Sequence, residues 1–133
     1  MPQPQRAELS RRFGCDVRSS RGSATWIHPR GELDNVFAPC FERAVRQALS
    51  RVRLVIIDLR QLTFIDSTGL HLIIAAEACA RLGDRRLVII RGPAHIDRLF
   101  ALVGISDRVE IIDPRPVLVS ALAPPVLVPL DAA

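Results

Sequence analysis

Leu54-Val55-Ile56-Ile57-Asp58-Leu59-Arg60-Gln61-Leu62-Thr63-Phe64-Ile65-Asp66-Ser67-Thr68-Gly69-Leu70 is the stretch from which the fold is read. It opens on four consecutive apolar residues, Leu54 to Ile57, with no polar alternation. A short continuous apolar run implies a strand covered on both faces, as in the parallel centre of an α/β sheet. A turn from Leu59 to Leu62 leads to Thr63-Phe64-Ile65 and then to the polar quartet Asp66-Ser67-Thr68-Gly69. From Leu70 to Leu82 apolar residues recur at helical spacing, with Leu70, Ile73, Ile74, Ala78 and Leu82 as the expected inner face. Leu72, Ala75, Ala76 and Cys79 lie on the other faces, so burial on more than one side is expected. Gly83 is placed to end this helix.

The flanks extend the pattern in both directions. Upstream, two weakly alternating stretches, Arg12 to Arg18 and Ser23 to His28, are separated by Ser19-Ser20-Arg21-Gly22, which predicts a hairpin. Gly31-Glu32-Leu33-Asp34 then leads into a helix carrying Val36, Phe37, Phe41, Ala44, Val45, Ala48 and Leu49 at helical spacing, with Asp34 as N-cap. Downstream, Leu87-Val88-Ile89-Ile90 repeats the buried-strand signature. Gly92-Pro93 opens a third helix whose apolar face is Ile96, Leu99, Phe100 and Val103, and Gly104 ends it. Val109 to Ile112 reads as a last short strand. These elements predict an α/β fold: one mixed, mainly parallel sheet of four to five strands with helices packed against it. The expected limits are a disordered lead-in over 1–10, one domain over 11–122 and a proline-rich tail over 123–133.

Length and composition agree with one small domain. The chain has 133 residues, 49% of them hydrophobic, enough for a single core. No apolar run reaches the roughly 18 to 20 residues that span a bilayer, and Val117 to Leu130 is interrupted by Pro124, Pro125 and Pro129. The N-terminal residues lack the apolar core of a signal peptide, so a cytoplasmic location without membrane insertion is expected. Cys15, Cys40 and Cys79 are too widely spaced for a zinc site, and Cys40 and Cys79 are expected as small core hydrophobes.

The net charge of +4 comes entirely from arginine, since the chain has no lysine. Residues 1–30 hold six arginines against Glu8 and Asp16, whereas the remainder is neutral, with twelve arginines and twelve acids. With five Phe and one Trp there is no base-stacking platform, and no nucleic-acid partner is expected. Enzyme motifs are also missing: no Gly-x-Ser-x-Gly elbow, no phosphate loop ending in Gly-Lys-Ser/Thr and no His-Glu-x-x-His. His28, His71 and His95 form no pair at metal spacing, and no cofactor is implied. The reading is a binding protein and not an enzyme.

Gly31-Glu32-Leu33-Asp34, the strand Leu54 to Asp58, and Thr63 to Leu70 together resemble, in that order, the STAS domain of bacterial anti-sigma factor antagonists and sulfate-type transporter tails. Arg98-Leu99-Phe100 followed by Gly104-Ile105 fits the antagonist pattern, and the resemblance spans Val17 to Ile112. It implies that the unphosphorylated chain binds an anti-sigma factor that is a serine kinase, and so releases the sigma factor. The kinase then phosphorylates Ser67, binding is lost, and a metal-dependent serine phosphatase restores it. By the same resemblance Asp34, Asp66, Thr68, Gly69 and His71 belong to the partner-binding face. Thr68 is a second hydroxyl in the motif, and His71 stands where many antagonists carry a small residue.

The residues themselves allow two roles for Ser67. At a strand end and helix start it is exposed, and the free N–H groups of the first turn favour negative charge there, so a phosphate is tolerated. Alternatively, Ser67 is simply the N-cap of the helix. The competing function is a constitutive interaction subunit of the same fold, in a transport or stress-sensing assembly. Nucleotide binding is a third possibility, although no phosphate-binding loop is visible.

Overall fold

The computed structural model describes residues 12–19 and 24–114, together with the path of Val128–Pro129. The expected lead-in, most of the hairpin turn and most of the tail lie outside the described residues.

A hairpin opens the fold. Strand β1 (Phe13–Ser19) runs antiparallel to β2 (Ala24–Leu33), with Phe13 opposite Gly31 and Ser19 opposite Thr25. Strand β2 is longer than its alternation suggests, because it continues through Pro29 and bends at Gly31. Gly31 has φ +86°, and a Cβ there would meet the Arg12 carbonyl at 2.0 Å, so only glycine fits. The register shifts at this point. The first half of β2 pairs in parallel with β3 (Leu54–Asp58), and the second half pairs in parallel with β4 (Leu62–Ile65).

Helix α1 (Ala38–Leu49) joins β2 to β3, and α2 (Ser67–Leu82) joins β4 to β5 (Arg86–Ile90). Strand β5 lies parallel to β3. Helix α3 (Ala94–Leu102) and a 3-10 turn, Ile105–Asp107, lead to β6 (Glu110–Ile112), parallel to β5. The two residues of β7 (Val128–Pro129), within the expected tail, pair with Arg18 and Ser19 of β1. The sheet order is β6-β5-β3-β2-β1-β7, with β4 on the second half of β2. The mixed, mainly parallel sheet of the sequence reading is present, and short strands β4 and β7 add to the four to five expected.

The central strands show why their apolar runs are continuous. Val55 and Ile57 of β3, and Leu87 and Ile89 of β5, enter one core with Phe41, Val45 and Ala48 of α1, Ile73 and Ala76 of α2, and Phe100 of α3. Ile56 and Ile90 point to the opposite face and cluster with Ala24 and Trp26. Each buried Val, Leu, Ile or Phe side chain among them stabilises by about 1.5–3 kcal/mol relative to exposure.

Several expectations are corrected. Cys40 and Cys79 are exposed, not core residues, and Cys15 is half-buried. Helix α2 buries Gly69, Leu70, Ile73, Ala76 and Ala80, whereas Leu82, two residues beyond the buried Ala80 and so on the opposite side of the helix, is 88% exposed. Val36 and Val103, read as core-facing, are 55% and 51% exposed. The N-cap of α1 is Phe37 and not Asp34, which caps the turn just ahead of the helix. Gly83 does end α2, but the positive φ falls one residue later, on Asp84.

Candidate functional site

Parallel pairing of β2 with β4 sets Glu32 beside Phe64 and Leu33 beside Ile65. Both strands then leave the sheet at the same end, and Asp34 and Asp66 are the first residues off it. The two motifs, about thirty residues apart in sequence, thus become one site.

Asp66 is the N-cap of α2. Its Oδ1 accepts from Gly69 N at 3.0 Å, and its Oδ2 accepts from Asn35 N at 3.0 Å. Its own N–H donates to the Leu33 carbonyl at 3.2 Å, and its carbonyl accepts from Leu70 N at 3.0 Å. The capping role is therefore taken, and Ser67, the first helical residue, is not the cap. Ser67 is exposed, and among the described residues its hydroxyl has no hydrogen-bond partner.

Asp34 is held on several sides. Its Oδ1 accepts from Val36 N at 3.0 Å and Phe37 N at 3.3 Å, while Oδ2 pairs with Arg12 Nη2 at 2.8 Å. Arg12 Nε reaches Glu32 at 2.9 Å, and the guanidinium lies 5.4 Å from the Phe37 ring centre. Phe37 stacks in turn on Phe13, with centroids 5.2 Å apart. Arg12, just ahead of β1, and Phe13, its first residue, thereby brace the Asp34 turn, a contact invisible in the motif itself.

The other named residues divide. Thr68, in the first turn of α2, and His71, at the start of the second, are exposed. Gly69 is buried, and a Cβ on it would stand 2.7 Å from Ile65 Cγ1 and 3.1 Å from the Leu33 carbonyl oxygen. It lets α2 sit close against the β2–β4 junction and offers no surface to a partner. Thr68 and His71 also open a cleft of about 490 Å³ between α1 and α2, floored by Pro39, Val45, Leu72, Ala75 and Cys79. The second apolar stripe of α2, expected to be covered, forms one wall of this cleft.

Sequence reasoning missed one polar cluster. Asp58, only 4% exposed at the end of β3, accepts from Arg60 Nε at 2.9 Å and Arg60 N at 3.1 Å, and lies 3.3 Å from His28 Nδ1. Burial alone would raise this carboxyl, but the hydrogen bonds from His28 and Arg60 outweigh it and hold Asp58 well below the usual carboxylate range. His28 stacks on Trp26, with centroids 5.6 Å apart. The Asp58-Leu59-Arg60 spacing was the available signal, since an aspartate commonly caps the backbone two residues on. Among the described residues no three His, Cys, Asp or Glu side chains gather as a metal-holding group. Nor is any described helix long and apolar enough to cross a membrane.

Comparisons with known proteins agree with this geometry. The family model described as "Mlab, STAS domain" matches residues 17–119. The anti-sigma-B factor antagonist of Listeria monocytogenes is 33% identical over 86 residues, covering 64% of this chain and 75% of that protein; its Listeria innocua counterpart matches equally. Among solved structures, the anti-sigma factor antagonist SpoIIAA in its unphosphorylated form is 15% identical, with a TM-score of 0.65 over 81% of this chain and 96% of that one. The phosphorylated form of Bacillus SpoIIAA gives 16% identity and a TM-score of 0.66, over 81% and 97% of the two chains. A putative anti-sigma factor antagonist from Thermotoga maritima reaches a TM-score of 0.70 at 16% identity, over 80% and 92%. With a family model matching most of its length, this chain belongs to the STAS domain family and is, by homology, of the anti-sigma factor antagonist type.

Proposed function

We propose that this chain is a phosphorylation-controlled binding regulator. Its unphosphorylated form binds an anti-sigma factor that is itself a serine kinase, and so frees the sigma factor. Phosphorylation of Ser67 ends that binding, and a serine phosphatase restores it. Asp34, Thr68 and His71 contribute the surrounding contact surface, while Asp66 and Gly69 hold it in shape.

The observation that carries this reading is the division of labour between Asp66 and Ser67. A serine needed for the fold would spend its hydroxyl on the helix start. Here Asp66 does so, and the adjacent hydroxyl is exposed and unengaged. A phosphate adds about −1.5 to −2 charge and, beside the first turn of a helix, is tolerated by the domain that carries it. It also lands next to Asp66 and Asp34, on a face a partner must desolvate. That SpoIIAA has been solved in both unphosphorylated and phosphorylated forms supports a covalent switch on this scaffold.

The direct test is to incubate the protein with its kinase partner and ATP, measure intact mass and map the site. One added phosphate on Ser67 is expected. Modification of Thr68 instead, or none with a verified partner, refutes the assignment.

A second reading, a constitutive interaction subunit of a transport or stress-sensing assembly, draws on the Mlab description of the matched family and on the apolar cleft between α1 and α2. It predicts binding through the cleft that is indifferent to charge at residue 67.

A further inference from the structure

We propose that Asp66 is a positioning residue that locks the Asp34 turn and the Ser67 helix start into one surface. On this proposal a negative charge at residue 67 acts on the Asp34 turn through the Asp66 carboxylate. The second half rests on the reading of residue 67 as the point where charge is added.

One carboxylate serves two different elements. Oδ1 holds Gly69 N of its own helix, and Oδ2 holds Asn35 N in the turn after β2, each at 3.0 Å. That turn closes on itself through the bonds from Val36 N and Phe37 N to Asp34. Its internal shape therefore does not depend on Asp66. Its placement beside Ser67 does, because among the described residues the Asn35 bond, together with that from Asp66 N to the Leu33 carbonyl, ties the turn to the helix start. Asn35 is itself exposed and lines the same cleft as Thr68 and His71, so the tie also shapes the mouth of that cleft.

A phosphate on Ser67 sits one residue from this carboxylate. Like charges this close repel, and the phosphate oxygens compete for the N–H groups of the same helix turn. Of the two bonds Asp66 makes, the cap to Gly69 belongs to the local geometry of the helix. The bond to Asn35 crosses to an exposed turn and yields first. The switch then has two effects: new charge at residue 67, and a loosened turn at Asn35.

The substitution Asp66→Ser separates the two bonds. Serine is a good N-cap for Gly69 N, but its single short-armed oxygen cannot also reach Asn35. Amide hydrogen exchange followed by NMR on the chain alone reads each bond by its own donor. In Asp66→Ser, Gly69 is expected to stay protected and the melt to remain cooperative, while Asn35 exchanges about tenfold to a hundredfold faster, the protection of one hydrogen bond to a charged acceptor. Ser67→Glu and enzymatically phosphorylated protein are expected to accelerate Asn35 in the same direction. Binding of the kinase partner by Asp66→Ser is expected to weaken although Ser67 is intact. Unchanged Asn35 exchange in Asp66→Ser overturns the locking role, and unchanged exchange in Ser67→Glu and the phosphoprotein overturns the coupling. If Ser67 is never phosphorylated yet Ser67→Glu frees Asn35, the coupling stands and the functional reading fails; phosphorylation with Asn35 undisturbed gives the converse.

Discussion

Replacing Gly69 with alanine tests how tightly the motif is built into the fold. The added methyl carbon would lie 2.7 Å from Ile65 Cγ1, 3.1 Å from Leu33 Cγ and 3.1 Å from the Leu33 carbonyl oxygen. The first distance is shorter than real carbon contacts allow. Two of the three atoms belong to Leu33, which β2 holds in place by pairing with β4, so α2 must move away from the β2–β4 junction. Overpacking of this kind costs about 1–3 kcal/mol. Alanine recovers up to about 1 kcal/mol of helix propensity, and less than that so near the helix end. The steric cost wins, and a net loss of about 1–2 kcal/mol is expected. That corresponds to a melting temperature lower by roughly 3–10 °C for a domain of this size. Urea unfolding monitored by circular dichroism measures it, with an unchanged slope showing that the denatured state is not responsible. A Gly69→Ala protein as stable as wild type, or more stable, refutes the close packing of α2 on Leu33.

Other substitutions probe separate parts of the account. Ser67→Asp puts charge at the first turn of α2 without removing a bond, so it is expected to melt cooperatively within about 1 kcal/mol of wild type; loss of the transition would make Ser67 structural. Asp58→Asn removes the charge that His28 and Arg60 hold and is expected to cost about 1–3 kcal/mol at neutral pH. Because the folded state holds the Asp58 carboxyl below its ordinary value, this contribution is present above about pH 4 and lost as the pH falls below it. The gap between wild type and Asp58→Asn should therefore close in acid, and a gap constant down to pH 2 contradicts the ion-paired arrangement. Thiol labelling of the native protein at pH 8 is expected to modify the exposed Cys40 and Cys79 and spare Cys15, whose thiol burial pushes up to about 12; three adducts on the folded protein contradict that.

Much of the architecture is legible because continuous apolar runs such as Leu54–Ile57 and Leu87–Ile90 have few other solutions than covered parallel strands. The misreadings share a physical cause. Helix α2 carries apolar residues nearly all round, and its periodicity cannot say which stripe meets the sheet and which faces the cleft, so Cys79 and Leu82 read as inner residues. The bend of β2 at Gly31 hides in a segment that reads locally as a helix lead-in. Without that bend β4 has no partner, and Thr63-Phe64-Ile65 reads only as an approach to the motif. At the site, the motif residues are visible in sequence, but their roles are not. That Asp66 and not Ser67 caps the helix, that Gly69 faces inward, and that Asp34 leans on Arg12 all follow from contacts between segments. The His28–Asp58 pair has the same origin, since the β2–β3 register that aligns Ile27 with Ile57 is written in neither strand alone.

The claim that residue 67 is a switch is tested most directly by titration calorimetry with the anti-sigma kinase partner. Ser67→Ala is expected to bind like the unphosphorylated wild type and to stay bound when ATP is added. Ser67→Glu places an uncompensated charge at the contact, at a cost of about 2–5 kcal/mol. This is roughly a 30-fold to several-thousand-fold loss of affinity, in a protein that remains folded. Equal affinities for wild type, Ser67→Ala and Ser67→Glu contradict the switch and leave a constitutive binding subunit as the function of this chain.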